Sequence, residues 1–222
     1  MKVCLDALLS TIAKSYELVE KPAGEFATAK VSGLTFQVRS FYAKGLGNVS
    51  IMSGKGMMGL MAMDTLVINP FELDAPLFSY DRIHAMGNDT LLLELYETRL
   101  DKGQSLSEVD SVVMAFGDIP NEVVPERWYK SITLPQSIKK KGKKALTPRF
   151  DDMVLKYLAA YIEVLGRAPA CDIGAKTKAA SVYTEGLLDN GGASTDAFLK
   201  AKGKEYTAKL FREYLFGTGE PK

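Results

Sequence analysis

A block of short β-prone runs between residues 34 and 97 is the feature that most limits the fold of this chain. The runs read LTFQVRSFYA, NVSIMS, LMAMDTLVIN, PLFSYDRIH and DTLLLELYE, and β-branched and aromatic residues are frequent in them. Short breaks that contain glycine, asparagine or proline separate the runs, as at residues 44–47 and 86–88. Tight breaks favour hairpins, and hairpins join antiparallel neighbours. The block therefore predicts an antiparallel sheet.

Helical patterns lie on both sides of this block in the sequence. Residues 3–19 repeat apolar side chains at helical spacing. After the block, Thr147 and Pro148 begin a strong helix in which Val154, Leu158 and Leu165 share one face, and further helical stretches follow at about 173–189 and 194–216. In this chain the predicted strands follow one another in one segment and the helices in another. This order differs from the βαβ alternation that a parallel sheet requires. We therefore predict the α+β class and a single domain over residues 1–222.

Composition and charge exclude several classes of function. Of the 222 residues, 46% are hydrophobic and 25% are charged, and the net charge of +1 gives no chain-wide attraction to nucleic acid or to membranes. One histidine and two distant cysteines, Cys4 and Cys171, are too few for a zinc site of the usual His/Cys type. The few cysteines, the charged residues of the N-terminal helical pattern and the lack of a long apolar run predict a reduced, cytoplasmic protein without a signal peptide or membrane span.

The segment GKGMMG at residues 54–59 fits the GxGxxG pattern of dinucleotide-binding proteins, and acidic residues follow it. Its context does not fit, because the DTLVINP run leaves too little room for the helix that should follow the glycines. A glycine-rich hairpin turn is the preferred interpretation. A nucleotide-binding protein is the alternative that this motif leaves open.

Two aspartates, Asp64 and Asp81, lie in the middle of β-prone runs. If residues 60–69 and 76–84 form adjacent antiparallel strands, the alternation of side chains allows Asp64 and Asp81 to face each other. Two interpretations follow: the acids lie on a solvated face, where Asp81 pairs with an arginine, or they line a pocket between the sheet and the C-terminal helices. Carboxylates paired in a half-apolar pocket have shifted pKa values, and one can stay protonated near neutral pH, as a proton donor requires.

Several segments together resemble one known family. VINPFELDAPLFSYDRI is similar to the central strands of the ferredoxin-dependent bilin reductases, which read approximately apolar-apolar-x-P, a short insert, then LP-[LIM]-F-G-x-D-[LIV]. AFLKAKGKEYTAKLFREYLFGTGEP resembles the closing helix of that family, and VYTEGLLDNGG and FDDMVLKYLAAYIEVL resemble the segments before it. The resemblance covers roughly residues 50 to 216.

The resemblance implies an α/β/α sandwich, in which helices flank a central antiparallel sheet and a linear tetrapyrrole binds between the sheet and the C-terminal helices. The catalytic aspartate of the family falls on Asp81 in this sequence. A second catalytic position, which is a histidine in some members, falls on Asp64. A glutamate of the family one strand earlier falls near Met52, where this chain has no acid.

The resemblance also implies a reaction. Reduced ferredoxin supplies single electrons to a linear tetrapyrrole (bilin), the pocket aspartates supply protons, and no flavin, metal or nicotinamide is bound. The substitution at Asp64 and the missing acid near Met52 leave a second interpretation open, a non-catalytic tetrapyrrole-binding or carrier protein. The related red chlorophyll catabolite reductases share the fold and arrange their acids differently, so another kind of tetrapyrrole is also compatible.

A run of lysines in SIKKKGKK suggests a partner surface. It contains Lys139, Lys140, Lys141, Lys143 and Lys144, and we interpret it as a basic loop. No aromatic residues interleave the lysines, which argues against nucleic acid. A solvated loop without a partner is one interpretation. The more specific one is docking of an acidic ferredoxin-like electron donor, because such encounters depend on charge steering.

Overall fold

Eight strands form one sheet in which every pair of neighbours is antiparallel. The structure is a computed structural model that describes residues 5–122 and 126–219. The strands are β1 (Leu18–Lys21), β2 (Thr28–Val31), β3 (Leu34–Ala43), β4 (Gly47–Gly56), β5 (Met61–Asn69), β6 (Leu77–Ala85), β7 (Asn88–Tyr96) and β8 (Ile138–Lys143). Their order is β1-β3-β4-β5-β6-β7-β8, and β2 shares the outer edge of β3 with β1.

Helices cover both faces of this sheet. They are α1 (Leu5–Ile12), α2 (Ser107–Ala115), α3 (Thr147–Arg167), α4 (Ile173–Asn190), α5 (Ala193–Lys202) and α6 (Lys204–Lys209), and α6 continues into a π-helical turn at Leu210–Leu215. The α+β class and the sandwich of a central antiparallel sheet between helices are therefore confirmed. The long helix begins at the predicted Thr147, with Pro148 in its first turn. None of the helices in the described ranges has the length and apolar character needed to cross a bilayer.

The alternation of side chains along the strands divides the apolar residues into two cores. On one face, which we call the α3 face, α1, α2 and α3 pack against alternate strand residues that include Leu66, Ile68, Phe78, Tyr80 and Leu93. On the other, which we call the α4 face, α4, α5, α6 and the π-helical turn pack against Met52, Met63, Val67, Leu77 and Tyr96. Burial of a large apolar side chain contributes about 1.5–3 kcal/mol, so both helical layers are held mainly by these two cores.

The glycine-rich segment is a hairpin turn, as the preferred interpretation of its sequence predicted. β4 ends at Gly56 and β5 begins at Met61, and the two strands pair in register from Asn48–Asn69 to Gly56–Met61. Gly54 packs closely against the ring of Phe36. A Cβ on Gly54 would lie 2.5 Å from Cε1 of Phe36, so a larger residue would collide with that ring. The motif therefore lacks the strand-turn-helix context of a dinucleotide site.

The lysine run is a strand and not the basic loop that the sequence suggested. Residues 138–143 form β8, which pairs with β7 and closes one edge of the sheet. Lysine is uncommon in strands, but at an edge strand it protects the exposed backbone groups from pairing with other chains. Successive lysines consequently point to opposite faces of the sheet.

The C-terminal segment is fastened to the sheet by polar side chains. The π-helical turn leaves the carbonyls of residues 214–216 without helical partners, and side chains of the central strands donate to them. Ser50 Oγ donates to Leu215 O at 2.7 Å, and Asn69 Nδ2 donates to Phe216 O at 2.7 Å. Asn48 Nδ2 adds a bond of 3.0 Å to Leu215 O. Buried polar groups need such partners, so these residues fix the position of the last helix.

Asp74, in the connection between β5 and β6, has a structural role. It is buried, and its carboxylate accepts hydrogen bonds from the backbone amides of Leu100 and Asp101 at 2.7 and 2.8 Å. The buried ammonium of Lys176 lies 3.7 Å from it. These partners explain why an aspartate is stable in this apolar stretch.

Candidate active site

The strand register separates the two aspartates that the sequence analysis paired. Asp81 of β6 lies opposite Thr65, and Asp64 of β5 lies opposite Arg82. Asp81 therefore points to the α4 face and Asp64 to the α3 face, so the predicted juxtaposition is wrong. The connection at residues 70–76 sets the register, and a shift of one residue moves every side chain to the other face. Thr65 occupies the place beside Asp81 that the prediction gave to Asp64.

A cavity of about 150 Å³ lies on the α4 face, between the sheet and the C-terminal helices. Its polar floor contains Asp81, Thr65 and Ser79, and its mouth includes Arg127 and Lys139. The walls are largely apolar or aromatic, and include Met52, Met63, Val67, Tyr183, Phe211 and Leu215. An apolar pocket with a few convergent polar groups is the usual form of a small-molecule site.

Asp81 is the titratable group at the floor of this pocket. Thr65 Oγ1 donates a hydrogen bond of 2.5 Å to Asp81 Oδ1. Burial raises the pKa of Asp81 to about 6, the hydrogen bonds from Thr65 and Ser79 oppose that rise, and the charge of Glu94 adds to it. The side chain is only half-buried, because it lines an open pocket. Asp81 can therefore hold a proton near neutral pH and recover it from solvent.

Glu94 is the second acid of the pocket, and the sequence analysis did not select it. It lies on β7 opposite Ser79, is buried, and has a carboxylate oxygen 3.0 Å from Lys139 Nζ. Tyr96 Oη donates to its other oxygen at 2.9 Å, and Tyr183 Oη donates to Tyr96 Oη at 2.8 Å. The alternation of side chains along β7 does place Glu94 on the same face as Leu92 and Tyr96. The sequence does not show which face of the strand borders the pocket, so this pattern alone could not identify Glu94 as a pocket residue.

Stacked aromatic rings hold one side of the pocket. The ring of Tyr183 lies 3.9 Å from that of Tyr96 and 5.9 Å from that of Trp128. Trp128 also fits against α4 at Gly186, where a Cβ would come within 2.1 Å of the indole ring. Burial raises the pKa of Tyr183 and Tyr96 well above the usual range, so both phenols stay protonated. Both hydroxyl groups can therefore donate hydrogen bonds throughout the physiological pH range.

An ionic network lies directly behind Asp81, on the α3 face. Arg82, the next residue along β6, is 1% exposed and donates from Nε and Nη2 to the carboxylate of Asp89 at 2.5 and 2.6 Å. Thr147 Oγ1 donates to Asp89 Oδ2 at 2.7 Å, and Asp151 lies 3.5 Å from Arg82 Nη2. The only histidine of the chain, His84, has Nδ1 3.4 Å from Asp89 Oδ1. The network ties β6 and β7 to the start of α3 behind the pocket floor.

The five lysines that the sequence analysis grouped do not form one surface. Lys139 is in the pocket mouth, paired with Glu94, and Lys140 is buried on the α3 face, where its ammonium donates to the carbonyl of Ile119. Lys141 pairs with Glu122 at 2.9 Å. Lys143 and Lys144 are exposed at the end of β8. A partner surface that includes all five lysines therefore does not exist.

Metal-ligating side chains are scattered in the folded chain. Among residues 5–122 and 126–219, no three His, Cys, Asp or Glu side chains come together in a way that could hold a metal ion. Cys4 lies outside the described residues, and Cys171 is a free cysteine between α3 and α4.

The comparisons with known proteins place the fold. No protein-family model and no curated protein sequence matches this chain. By structure, the fold matches that of the ferredoxin-dependent bilin reductases, as the sequence resemblance predicted. One matching structure is that of phytochromobilin synthase from tomato in complex with biliverdin, with a TM-score of 0.77 over 96% of this chain and 82% of the tomato chain. Sequence identity is 14%, so the likeness defines the fold.

Proposed function

We propose that this protein reduces a linear tetrapyrrole, with reduced ferredoxin as the electron donor and Asp81 as the proton donor. One observation carries the proposal: a carboxyl group with a pKa of about 6 lies at the floor of a pocket between the sheet and the C-terminal helices. The protein of the same fold from tomato was solved with biliverdin. A half-buried acid with a pKa near neutrality suits general acid catalysis.

The pocket offers complementary groups to such a pigment. The Asp81 carboxylate can accept hydrogen bonds from pyrrole N–H groups in one protonation state and donate a proton in the other. Apolar and aromatic walls, such as Met63 and Tyr183, suit the flat conjugated rings. The cavity of about 150 Å³ is smaller than the roughly 300–1,000 Å³ of typical ligand pockets. Binding therefore requires the helical wall to move outward or the pigment to extend through the mouth.

The reaction balances as two electrons and two protons added across one double bond of the pigment. A one-electron donor such as reduced ferredoxin acts twice. Asp81 transfers one proton to the pigment with the first electron, solvent at the mouth returns a proton to the carboxylate, and Asp81 transfers the second proton with the second electron. Thr65, and not Asp64, lies beside Asp81. Because Asp64 lies on the α3 face, the catalytic role that the resemblance gives it would require Asp64 to affect the pigment from the opposite side of the sheet.

The first test is pigment binding and reduction. Purified protein is titrated with biliverdin, and binding is followed by visible absorption. The complex is then mixed with reduced ferredoxin. We expect a saturable spectral shift followed by bleaching of the long-wavelength band. The absence of both across several linear tetrapyrroles would contradict the proposal.

The rate of reduction should depend on pH through Asp81. Because the protonated carboxyl is the active form and its pKa is about 6, the rate is expected to be constant below about pH 6 and to fall tenfold per pH unit above it. The charge of Glu94 raises the pKa of Asp81, so Glu94→Gln should move the descending limb to lower pH. Single-turnover rates from pH 5 to 9 give both curves.

A matched control for this prediction is Glu122→Gln. Glu122 also pairs with a lysine of β8, Lys141, but it lies outside the pocket. Its substitution should leave the limb in place. If the rate of the Glu94→Gln variant falls at the same pH as that of the wild type, Glu94 does not affect the pKa of Asp81.

A non-catalytic tetrapyrrole-binding protein is the second candidate, and one observation favours it. In the row that crosses the strands at the pocket floor, Met52, Thr65, Asp81, Leu92 and Lys139 lie side by side, and Asp81 is the one acid among them. A binding protein would give the spectral shift without bleaching in the wild type. The same titration therefore separates the two functions.

A further inference from the structure

Two hairpin turns at one end of the sheet carry exposed methionines. Met58, in the turn between β4 and β5, is 100% exposed, and Met86, between β6 and β7, is 77% exposed. Both have positive φ values, 53° and 49°, and each is followed by a glycine that also has positive φ. Leu60 is 61% exposed in the first of these turns, and the Met86 amide donates to its carbonyl at 3.4 Å. The two turns are therefore neighbours and share an apolar surface.

The backbone of these turns disfavours methionine. A non-glycine residue with positive φ is uncommon, and asparagine, aspartate and glycine are the residues that tolerate it. A third turn at the same end of the sheet, between β2 and β3, has almost the same geometry, with φ of 49° at Ser32 and 77° at Gly33. That turn uses a small polar residue. Exposed methionines gain no burial that would offset the strain, so folding does not explain them.

Lysines surround these turns, and acids are missing from them. Lys55 lies at the end of β4, and Lys143 and Lys144 lie at the end of β8, where the Lys144 amide donates to Gly87 O at 3.3 Å. All three lysines are exposed. Residues 55–62, 84–88 and 141–146 contain no aspartate or glutamate. This end of the sheet thus combines a cationic rim with an apolar centre.

We propose that this hairpin surface, formed by Met58, Leu60 and Met86 with Lys55, Lys143 and Lys144 around them, docks an acidic protein. Lysines on the rim steer an anionic partner, and the flexible, polarisable methionines contact its apolar groups. The turns contain no Trp, Tyr or Phe, the residues that mark membrane-interface surfaces, so a protein fits better than a bilayer.

The surface lies at the end of the strands that carry the pocket. Met63 of β5 and Ile83 of β6 pair with each other and line the cavity. Met86 is three positions after Ile83 in the chain, which is about 10 Å along a strand. If the proposed function holds, a partner at the hairpin surface is the one-electron donor; that identification of the partner rests on the proposed function, and docking itself does not.

The test replaces both methionines by the residue that their backbone prefers. Met58→Asn with Met86→Asn keeps the turns and should leave the thermal unfolding temperature unchanged or higher. Binding of a plant-type [2Fe–2S] ferredoxin, used as the acidic probe, is measured by calorimetry on pigment-free protein at low salt. We expect the Kd to rise on the order of tenfold or more, as for loss of central contact residues. Ser32→Asn is the matched control and should bind as the wild type does.

The possible outcomes are distinct. Unchanged binding in the double variant, equal weakening in Ser32→Asn, or no ferredoxin binding to the wild type would each overturn the proposal. The proposal would also be overturned if the methionines were needed for binding to phosphatidylserine vesicles while ferredoxin binding was unaffected by their loss. The same holds if sedimentation showed a wild-type dimer that the double variant does not form. Failure of pigment reduction with intact ferredoxin binding contradicts the proposed function alone. Intact reduction by dithionite in the double variant, with slow reduction by ferredoxin, supports docking at this surface.

Discussion

Replacing Asp81 by asparagine is expected to lower the rate of pigment reduction by about 10²- to 10⁴-fold, the usual contribution of a positioned general acid. Asparagine has the same shape and can still accept the Thr65 hydrogen bond, which is 2.5 Å in the wild type. It cannot donate a carboxyl proton. Pigment affinity should therefore change little, and the defect should appear in the single-turnover rate at saturating pigment.

Asp64→Asn is the matched comparison for this variant. It makes the same chemical change on the neighbouring strand but on the opposite face of the sheet. We expect its reduction rate to stay within a few-fold of the wild type. An equal loss in both variants would show that the two aspartates act together, as the sequence alone suggested, and would contradict the assignment of the chemistry to the α4 face.

The largest effect on stability is expected from Arg82→Met. Arg82 and Asp89 are each 1% exposed, so removing the guanidinium leaves a buried carboxylate without its main counter-charge. Such a loss costs about 3–5 kcal/mol of unfolding free energy. Denaturant unfolding of the wild type and the variant measures it. A loss below about 1 kcal/mol would show that solvent reaches the network and that it does not hold β6 and β7 to α3.

Arg39→Met is the control for that measurement. Arg39 also makes a two-pronged bond to a carboxylate, with 2.8 Å from each nitrogen to Glu20, but both side chains are exposed, at 45% and 48%. Water replaces a lost partner at an exposed pair, so the expected cost is about 1 kcal/mol or less. The difference between the two variants isolates the effect of burial.

The sequence predicted the elements that have strong local signals. The face shared by Val154, Leu158 and Leu165 specified α3, and tight glycine-containing breaks specified the hairpins of the central strands. The resemblance placed the pocket between the sheet and the C-terminal helices. These features depend on periodicity and turn chemistry, which act over a few residues.

The errors concern properties that only the folded chain sets. The register of β5 against β6 depends on the path of residues 70–76, and it decides whether Asp64 or Thr65 stands beside Asp81. The lysine run has poor strand propensity, and pairing with β7 overrides that propensity. Glu94 could not be assigned to the pocket before the face of β7 was known.

The fastening of residues 214–216 to the central strands bears on how the protein is made. Ser50 and its partner Leu215 are 165 residues apart in the chain. At a synthesis rate of 5–20 residues per second, roughly 10 to 30 seconds pass between the appearance of the two partners at the ribosome. For most of that time only α1 and α2 have been made, and they cover part of the α3 face, whereas the first helix that covers the apolar α4 face, α4, begins at Ile173. The nascent chain is therefore most vulnerable to aggregation, and most dependent on chaperones, on the face that later holds the pocket.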